Sequence, residues 1–347
     1  MSPRSWSRIV LGLALYCGVF VVTCAVGGMA YFHFANPQNT CASCHEMTGV
    51  HSDWAVSAHR TIQCRACHGG ALTLDVHALE SHVDRIVRHF TGDPNKPVRL
   101  LEKHVQGLVD SCQRCHPQAY SDWQSSRHAT TYARIFLDPE HNKTASPTDD
   151  CLRCHGMFYE RDITELVSGT GTGGTWSLRD AARATQPAIP CLACHQVHAP
   201  SDATQTASFF DHRERAHFSA SLLPVPAVYQ GARPVKVSRD PRQRVCMQCH
   251  APDATHQLGS SDDRTPAGVH EGLSCRDCHW SHTNSAKASC NACHPADSHC
   301  GIEVQKMDTT FLSPQSRHNV HTVACLDCHP GGIPAKKVAS GSPADLP

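Results

Sequence analysis

Aromatic side chains, charge of either sign in excess, and long apolar runs are all scarce in this chain. Phe, Trp and Tyr make up 6% of its 347 residues, 40% are apolar in all and 18% are charged, against roughly 45–50% apolar and about 25% charged in ordinary soluble domains. So few packing side chains exclude an enzyme fold built on an aliphatic core. Lys plus Arg and Asp plus Glu balance at 31 each, so no basic surplus points to a nucleic acid partner. No glycine period marks a collagen-like chain, and the sulfur content is foreign to a disordered polar tail. Two residue types stand far above the norm instead: 21 Cys and 27 His.

Eighteen of the cysteines form nine Cys-x-x-Cys pairs: Cys41/Cys44, Cys64/Cys67, Cys112/Cys115, Cys151/Cys154, Cys191/Cys194, Cys246/Cys249, Cys275/Cys278, Cys290/Cys293 and Cys325/Cys328. A histidine follows every pair at once: His45, His68, His116, His155, His195, His250, His279, His294 and His329. A zinc ribbon or a disulfide framework has no use for that constant neighbour. Covalent c-type haem does: two thiols three positions apart add to the two vinyl groups, and the adjacent imidazole binds the iron from the proximal side. Nine motifs therefore predict nine c-type haems. Beyond residue 35 each motif has about 35 residues of chain, too few for a core of its own. The expected fold is mostly irregular with short α-helices and little or no sheet, a multihaem cytochrome c whose haems form the core.

The one long uncharged run is at the start. Arg4 and Arg8 precede Ile9 to Phe34, a stretch without Asp, Glu, Lys or Arg, and about 20 apolar residues suffice to span a bilayer. It predicts an uncleaved single-pass anchor in the cytoplasmic (inner) membrane, its basic end inside and the haem-bearing remainder in the periplasm. Four segments follow: anchor 1–35, haems 1–3 in 36–120, haems 4–9 in 121–330, and a flexible Pro/Gly-rich tail 331–347. Cys17 and Cys24 read as packing residues of the anchor, and Cys300 has no assigned role. The formal G-x-G-x-x-G within 168–174 lacks the flanking strand and helix of a dinucleotide site and reads as a loop.

Motif starts follow no fixed period, yet a shorter echo exists. Ser52-Asp53-Trp54-x-x-Ser57-x-His59 matches Ser121-Asp122-Trp123-x-x-Ser126-x-His128, with a remnant at Ser316-Arg317-His318. A His at a fixed place beside a Trp suits a sixth iron ligand. His59, His270 and His321 stand three or four residues ahead of a motif, and His198 and His282 follow a proximal His by three. With His128 and His318 they form the expected distal set. The longest helix-like region runs from Asp75 to Val109, with Leu79, Val83, Ile86 and Val87 on one face before Gly92-Asp93-Pro94 interrupts it.

Over residues 1–120 the chain resembles the NapC/NirT family of membrane-anchored tetrahaem quinol dehydrogenases. The shared features are the N-terminal helix, Asn36-Pro37, Cys41-x-x-Cys44-His45-x-Met47, and Trp54-x-x-Ser57-x-His59 leading into the second motif. The resemblance implies Met47 as an iron ligand at a membrane-proximal haem beside a quinol pocket. The family's quinol-site Lys has no clear equivalent here, and Asp75, His82, Asp84, Arg85 and His89 are the candidates for quinol contact or proton acceptance. The expected function is electron transfer from membrane quinol through the haems to a periplasmic or outer-membrane redox protein, with membrane lipid as a further partner and a membrane complex or homo-oligomer as possible settings. Two alternatives are a cytochrome subunit of a larger respiratory or photosynthetic complex and a terminal reductase of a small nitrogen or sulfur oxyanion. No Cys-x-x-Cys-Lys motif supports the latter.

Overall fold

The computed structural model describes residues 3–34, 41–69, 83–84, 86–87, 89–92, 100–159, 161–169, 175–198, 208–211, 216–219, 227–250, 265–280, 282–283, 286, 290, 292–294 and 319–332. The chain divides into two compact units, residues 1–222 and 223–347.

The first unit begins with helix α1 (Pro3–Phe34). Its segment Trp6–Gly28 has a mean hydropathy of 2.5 and none of it is buried, so it is long and apolar enough to cross a membrane. Short helices follow, as expected for a chain with so few residues per motif: α2 (Thr48–Ala55), α3 (Cys64–His68), α4 (Glu102–Cys115), α5 (Pro117–Gln124), α6 (Tyr132–Phe136) and α7 (Pro139–Asn142). Pro117 has no N–H to continue α4, so the backbone breaks at His116 (φ −120°, ψ 52°) and restarts as α5 with proline in its first turn. That corner carries the proximal His of the third motif. Asp138 caps α7 by accepting from the N–H groups of Glu140 and His141.

Composition argues against an aliphatic core, yet the chain builds a local one around the third to fifth motifs. Among the described residues, fifteen of the eighteen buried apolar side chains lie between Leu101 and Ala193. Tyr132, Phe136, Leu152, Ile163, Leu166, Val167, Trp176 and Ala188 form one cluster; Val105, Val109, Trp123, Met157, Phe158 and Ala193 form another. Among the described residues of this unit, sheet is confined to two-residue strands β1 (Val167–Ser168) and β2 (Ser177–Leu178) and the pairing of β3 (Ser208–Asp211) with β4 (Ala216–Ser219).

The second unit contains the hairpin β5 (Val228–Gln230) and β6 (Arg233–Val235) and helices α8 (Arg244–His250), α9 (Cys275–Cys278) and α10 (Cys325–Cys328). Among the described residues it buries only Val235, Met247 and Ala267 as apolar side chains. Backbone pairing takes over: Ala267 N–H donates to His321 C=O (2.6 Å) and Val269 N–H to Val323 C=O (2.8 Å). Gly268 lies between them at φ +62°, where an added Cβ would collide with the Val323 carbonyl. Gly268→Ala therefore combines an αL cost of roughly 1–2 kcal/mol with that collision. We expect it to lower the melting temperature of the second unit by several degrees, read by calorimetry, while an exposed Gly231→Ala, with open space around it, pays the αL cost alone.

Candidate functional site

In the second to seventh motifs and in the ninth, the Cys-x-x-Cys-His segment folds as a helical turn, and in the eighth the described Cys290, Ala292 and Cys293 are helical. The proximal His N–H donates to the carbonyl of the first Cys at His116 (2.9 Å), His155 (3.0 Å), His195 (2.9 Å), His279 (2.8 Å), His294 (2.8 Å) and His329 (2.9 Å). The turn places i and i+3 on one side, which is what two thioether bonds to one macrocycle need. In the seventh and ninth motifs the Asp inside Cys-x-Asp-Cys holds the turn: Asp277 accepts from Ser274 N–H (2.7 Å) and Asp327 from Ala324 N–H (2.7 Å).

The motifs differ in local backbone and in exposure. In the first motif Cys44 is extended (φ −84°, ψ 133°) and precedes a separate turn, His45–Met47. The fourth and fifth motifs form tighter 3₁₀ turns, which close on Cys154 (φ −104°, ψ −35°) and Cys194 (φ −114°, ψ −24°). In the sixth, Cys249 lies within α8 itself. Exposure differs as well: Cys154 and Cys249 are half-buried, whereas Cys293 of the eighth motif is exposed.

Motif histidines face remote histidines at a recurring separation. Ring centres lie 6.2 Å apart for His116 and His59, 6.1 Å for His68 and His198, 6.2 Å for His294 and His270, and 6.1 Å for His279 and His321. Two imidazoles on opposite sides of one metal, each bonded at about 2 Å, have ring centres about 6 Å apart. The residues thus fit a six-coordinate haem iron at these four motifs. The tautomer agrees at one of them: His270 Nδ1 is 2.7 Å from Val320 C=O, so Nδ1–H donates there and Nε2 is left for iron.

The repeated Ser-Asp-Trp segment is a structural module. Ser57 N–H donates to Trp54 C=O (3.0 Å) and His59 N–H to Ser57 Oγ (3.1 Å). The same pair of bonds recurs in the second copy, Ser126 to Trp123 (2.9 Å) and His128 to Ser126 Oγ (3.1 Å). The serine hydroxyl makes a tight turn that presents the following His. His282 has φ +73°, the one non-glycine in the left-handed region among the described residues. Asp75, His82, Arg85, Cys300 and His318 lie outside the described residues.

Motifs also touch one another through their thiols. Cys41 hydrogen-bonds Cys64, which holds the Cys64 thiol down at about 6. Cys112 bonds Cys191, raising Cys112 and lowering Cys191, and Cys275 is raised by its bond to Cys246. All six are the first cysteine of their motif. These shifts belong to free thiols; as thioethers the sulfurs do not titrate. The second motif is further tied to the third by Ser111 Oγ donating to Cys67 C=O (3.1 Å) and Arg114 to Ala66 C=O (2.5 Å). The sixth and seventh are joined by Cys275 N–H donating to Gln243 Oε1 (3.2 Å) and Ser274 Oγ to Asp240 Oδ2 (3.0 Å).

Around the first motif the structure gathers residues that sequence reading kept apart. His89 Nδ1 is 2.7 Å from Glu46 Oε1, His45 Nε2 is 3.4 Å from the same oxygen, and the two imidazole centres are 5.9 Å apart. His89 therefore stands beside Met47's own turn, His45–Met47, as a second candidate ligand. Its bond to His89 is one reason the Glu46 carboxyl is held below its usual range, after the backbone bond. Asp84 pairs with Lys103 (3.0 Å) and His104 (3.6 Å). Neither Lys103 nor His104 carries a local sequence signal, since eighteen residues separate Lys103 from Asp84.

One buried group is also new. Glu102 accepts a 2.6 Å bond from Tyr132 Oη, its Oε2 has no partner, and burial pushes its carboxyl up against the opposing pull of Tyr132 and Arg183. A raised carboxyl contributes stability below about pH 4.3, its ordinary value, and loses it as pH climbs through the folded-state value. We expect the first unit's melting temperature to fall on going from pH 4.5 to pH 8, and Glu102→Gln to flatten that slope. Glu102→Ala should cost about 1–3 kcal/mol at every pH by leaving the Tyr132 hydroxyl buried without its acceptor.

Residues 36–208 match the family model described as outer membrane cytochrome MtrC/MtrF-like, domains II/IV, and residues 190–280 match that of cytochrome c554 and c-prime. No curated protein and no solved structure matches the chain. The two family matches and the motifs agree: the chain is a multihaem c-type cytochrome, and multihaem cytochrome c domains carry electrons. The outer-membrane family together with the apolar helix marks it as a membrane-associated or secreted protein.

Proposed function

We propose that this chain carries nine haems and serves as a conduit anchored in the cytoplasmic membrane, taking electrons from quinol and passing them to a periplasmic or outer-membrane redox protein. The observation that carries the conduit is the pairing of four motif histidines with remote histidines about 6 Å away. A haem held between such a pair of histidines would supply electron exchange and would offer no coordination site to a substrate. The haems supply the redox change. The chain's own work is to hold each one by two cysteines and a histidine, cap its far side, and keep neighbouring motifs in contact.

The quinol end draws on the NapC/NirT resemblance of residues 1–120 and on the titratable groups in the first unit. Oxidising one quinol releases two electrons and two protons. Asp84, clamped by Lys103 and His104, and Glu46, bonded to His89, are the groups placed to receive those protons; Met47 and His89 are the candidate sixth ligands at the first motif.

Two measurements on the mature protein test this reading. Its mass should exceed that of the polypeptide by nine haems, and in proteoliposomes a menaquinol analogue should reduce the visible haem bands. Fewer haems overturn the count. High-spin haem that binds nitrite or sulfite overturns the conduit in favour of a terminal reductase, and failure to accept electrons from any quinol favours a subunit fed by a protein partner.

A further inference from the structure

Between the second and third motifs, Val83, Ile86, Val87 and Phe90 occupy positions i, i+3, i+4 and i+7, one face of a helix. Residues 83–84, 86–87 and 89–91 are helical, and Thr91 Oγ1 donates back to Val87 C=O (2.8 Å). A surface helix ordinarily turns such a face to the core. Here the four side chains are 52%, 57%, 50% and 80% exposed. The polar side chains do the docking instead: Asp84 is ion-paired to Lys103 and His104, and His89 is bonded to Glu46 in the first motif. The segment is held by its polar edge with its apolar edge outward, which is costly in water and favourable at a lipid boundary.

The neighbouring chain says which boundary. Glu46 follows Cys41 closely, and six residues separate Cys41 from Phe34, the end of α1. Six residues reach at most about 20–25 Å, so the first motif cannot stray far from the surface of a bilayer that holds α1. The segment's sequence also carries Arg85 and Arg88, cations that suit anionic headgroups.

We propose that the segment around Val83–Phe90 lies in the interface of the anchoring bilayer, with Val83, Ile86, Val87 and Phe90 at the headgroup–acyl boundary. The inference rests on reading α1 as a membrane anchor and deepens the quinol proposal, because it brings Glu46 and Asp84 to the depth at which a quinol headgroup resides.

The test uses the full-length, haem-loaded protein in vesicles of phosphatidylethanolamine and phosphatidylglycerol, with photoreactive benzoylphenylalanine in place of Phe90, or of Glu140 as an exposed control. Illumination followed by mass spectrometry should find phospholipid adducts at position 90 at least ten times more often than at 140. Adducts at 90 to protein or haem, or lipid adducts no more frequent than at 140, overturn the inference. Flotation of the same vesicles reports the anchor separately. Protein that does not float overturns both the anchor and this inference, whereas protein that floats without lipid adducts at 90 sinks this inference alone. Ile86→Asp gives a second reading: hydroxyl-radical oxidation of Val87 and Phe90 in vesicles should rise several-fold, and no rise counts against the proposal.

Discussion

Replacing His198 by alanine should turn one haem of the mature protein from low-spin to high-spin and leave the haem count unchanged. His198 faces His68 across 6.1 Å, so its loss opens the sixth position at the second motif while the covalent links of Cys64 and Cys67 remain. EPR should show a new high-spin signal integrating to about one spin per molecule, and the ferrous protein should bind one equivalent of carbon monoxide it did not bind before. The midpoint potential of that haem should also move, because axial ligation is a main determinant of haem potential. His198→Met should restore the low-spin state at a higher potential, since a thioether stabilises ferrous iron relative to imidazole. If alanine at 198 leaves the spectra unchanged, the pairing with the second motif is wrong.

The second large effect separates a ligand's nearest motif from the motif it serves. His321 lies just ahead of the ninth motif, three residues intervening before Cys325, yet its ring is stacked opposite His279 of the seventh motif, 6.1 Å away with planes 10° apart. His321→Ala should therefore create a high-spin haem only when the seventh haem is present. In a Cys275→Ser/Cys278→Ser background, which carries one haem fewer, the same substitution should add no high-spin signal. In a Cys325→Ser/Cys328→Ser background it still should. The reverse pattern would assign His321 to the ninth motif. Should either background fail to mature, an experimental density map of the intact protein decides the matter by the iron that His321 touches.

Much of this was legible in the sequence, and for a local reason. A Cys-x-x-Cys-His turn is specified by five consecutive residues and a backbone bond within them, so its chemistry survives without knowledge of the fold. The same holds for the Ser-x-His turns at Ser57 and Ser126, whose repeated Trp and Ser were visible as an echo, and for the uncharged run of α1. The choice of His59, His198, His270 and His321 as distal candidates rested on spacing, and all four stand opposite motif histidines. Composition misled in one place: the scarcity of aliphatic residues is an average, and it hid their concentration between Leu101 and Ala193. Half-buried Cys154 and Cys249 and exposed Cys293 owe their surroundings to packing that the five-residue pattern does not encode.

Pattern could not say which iron each of those histidines faces. The imidazole ahead of the second motif meets the third, the one after the fifth meets the second, and the one ahead of the seventh meets the eighth. Nor could it bring Lys103 to Asp84 or Glu46 to His89, or turn the apolar edge of residues 83–90 outward. The turn that would present two thiols and an imidazole to one macrocycle was legible in the sequence itself, because it is completed within five consecutive residues. The far side of each iron, the contact of one motif with the next and the direction in which an amphipathic segment points depend on packing between distant segments, and only the tertiary structure decided them.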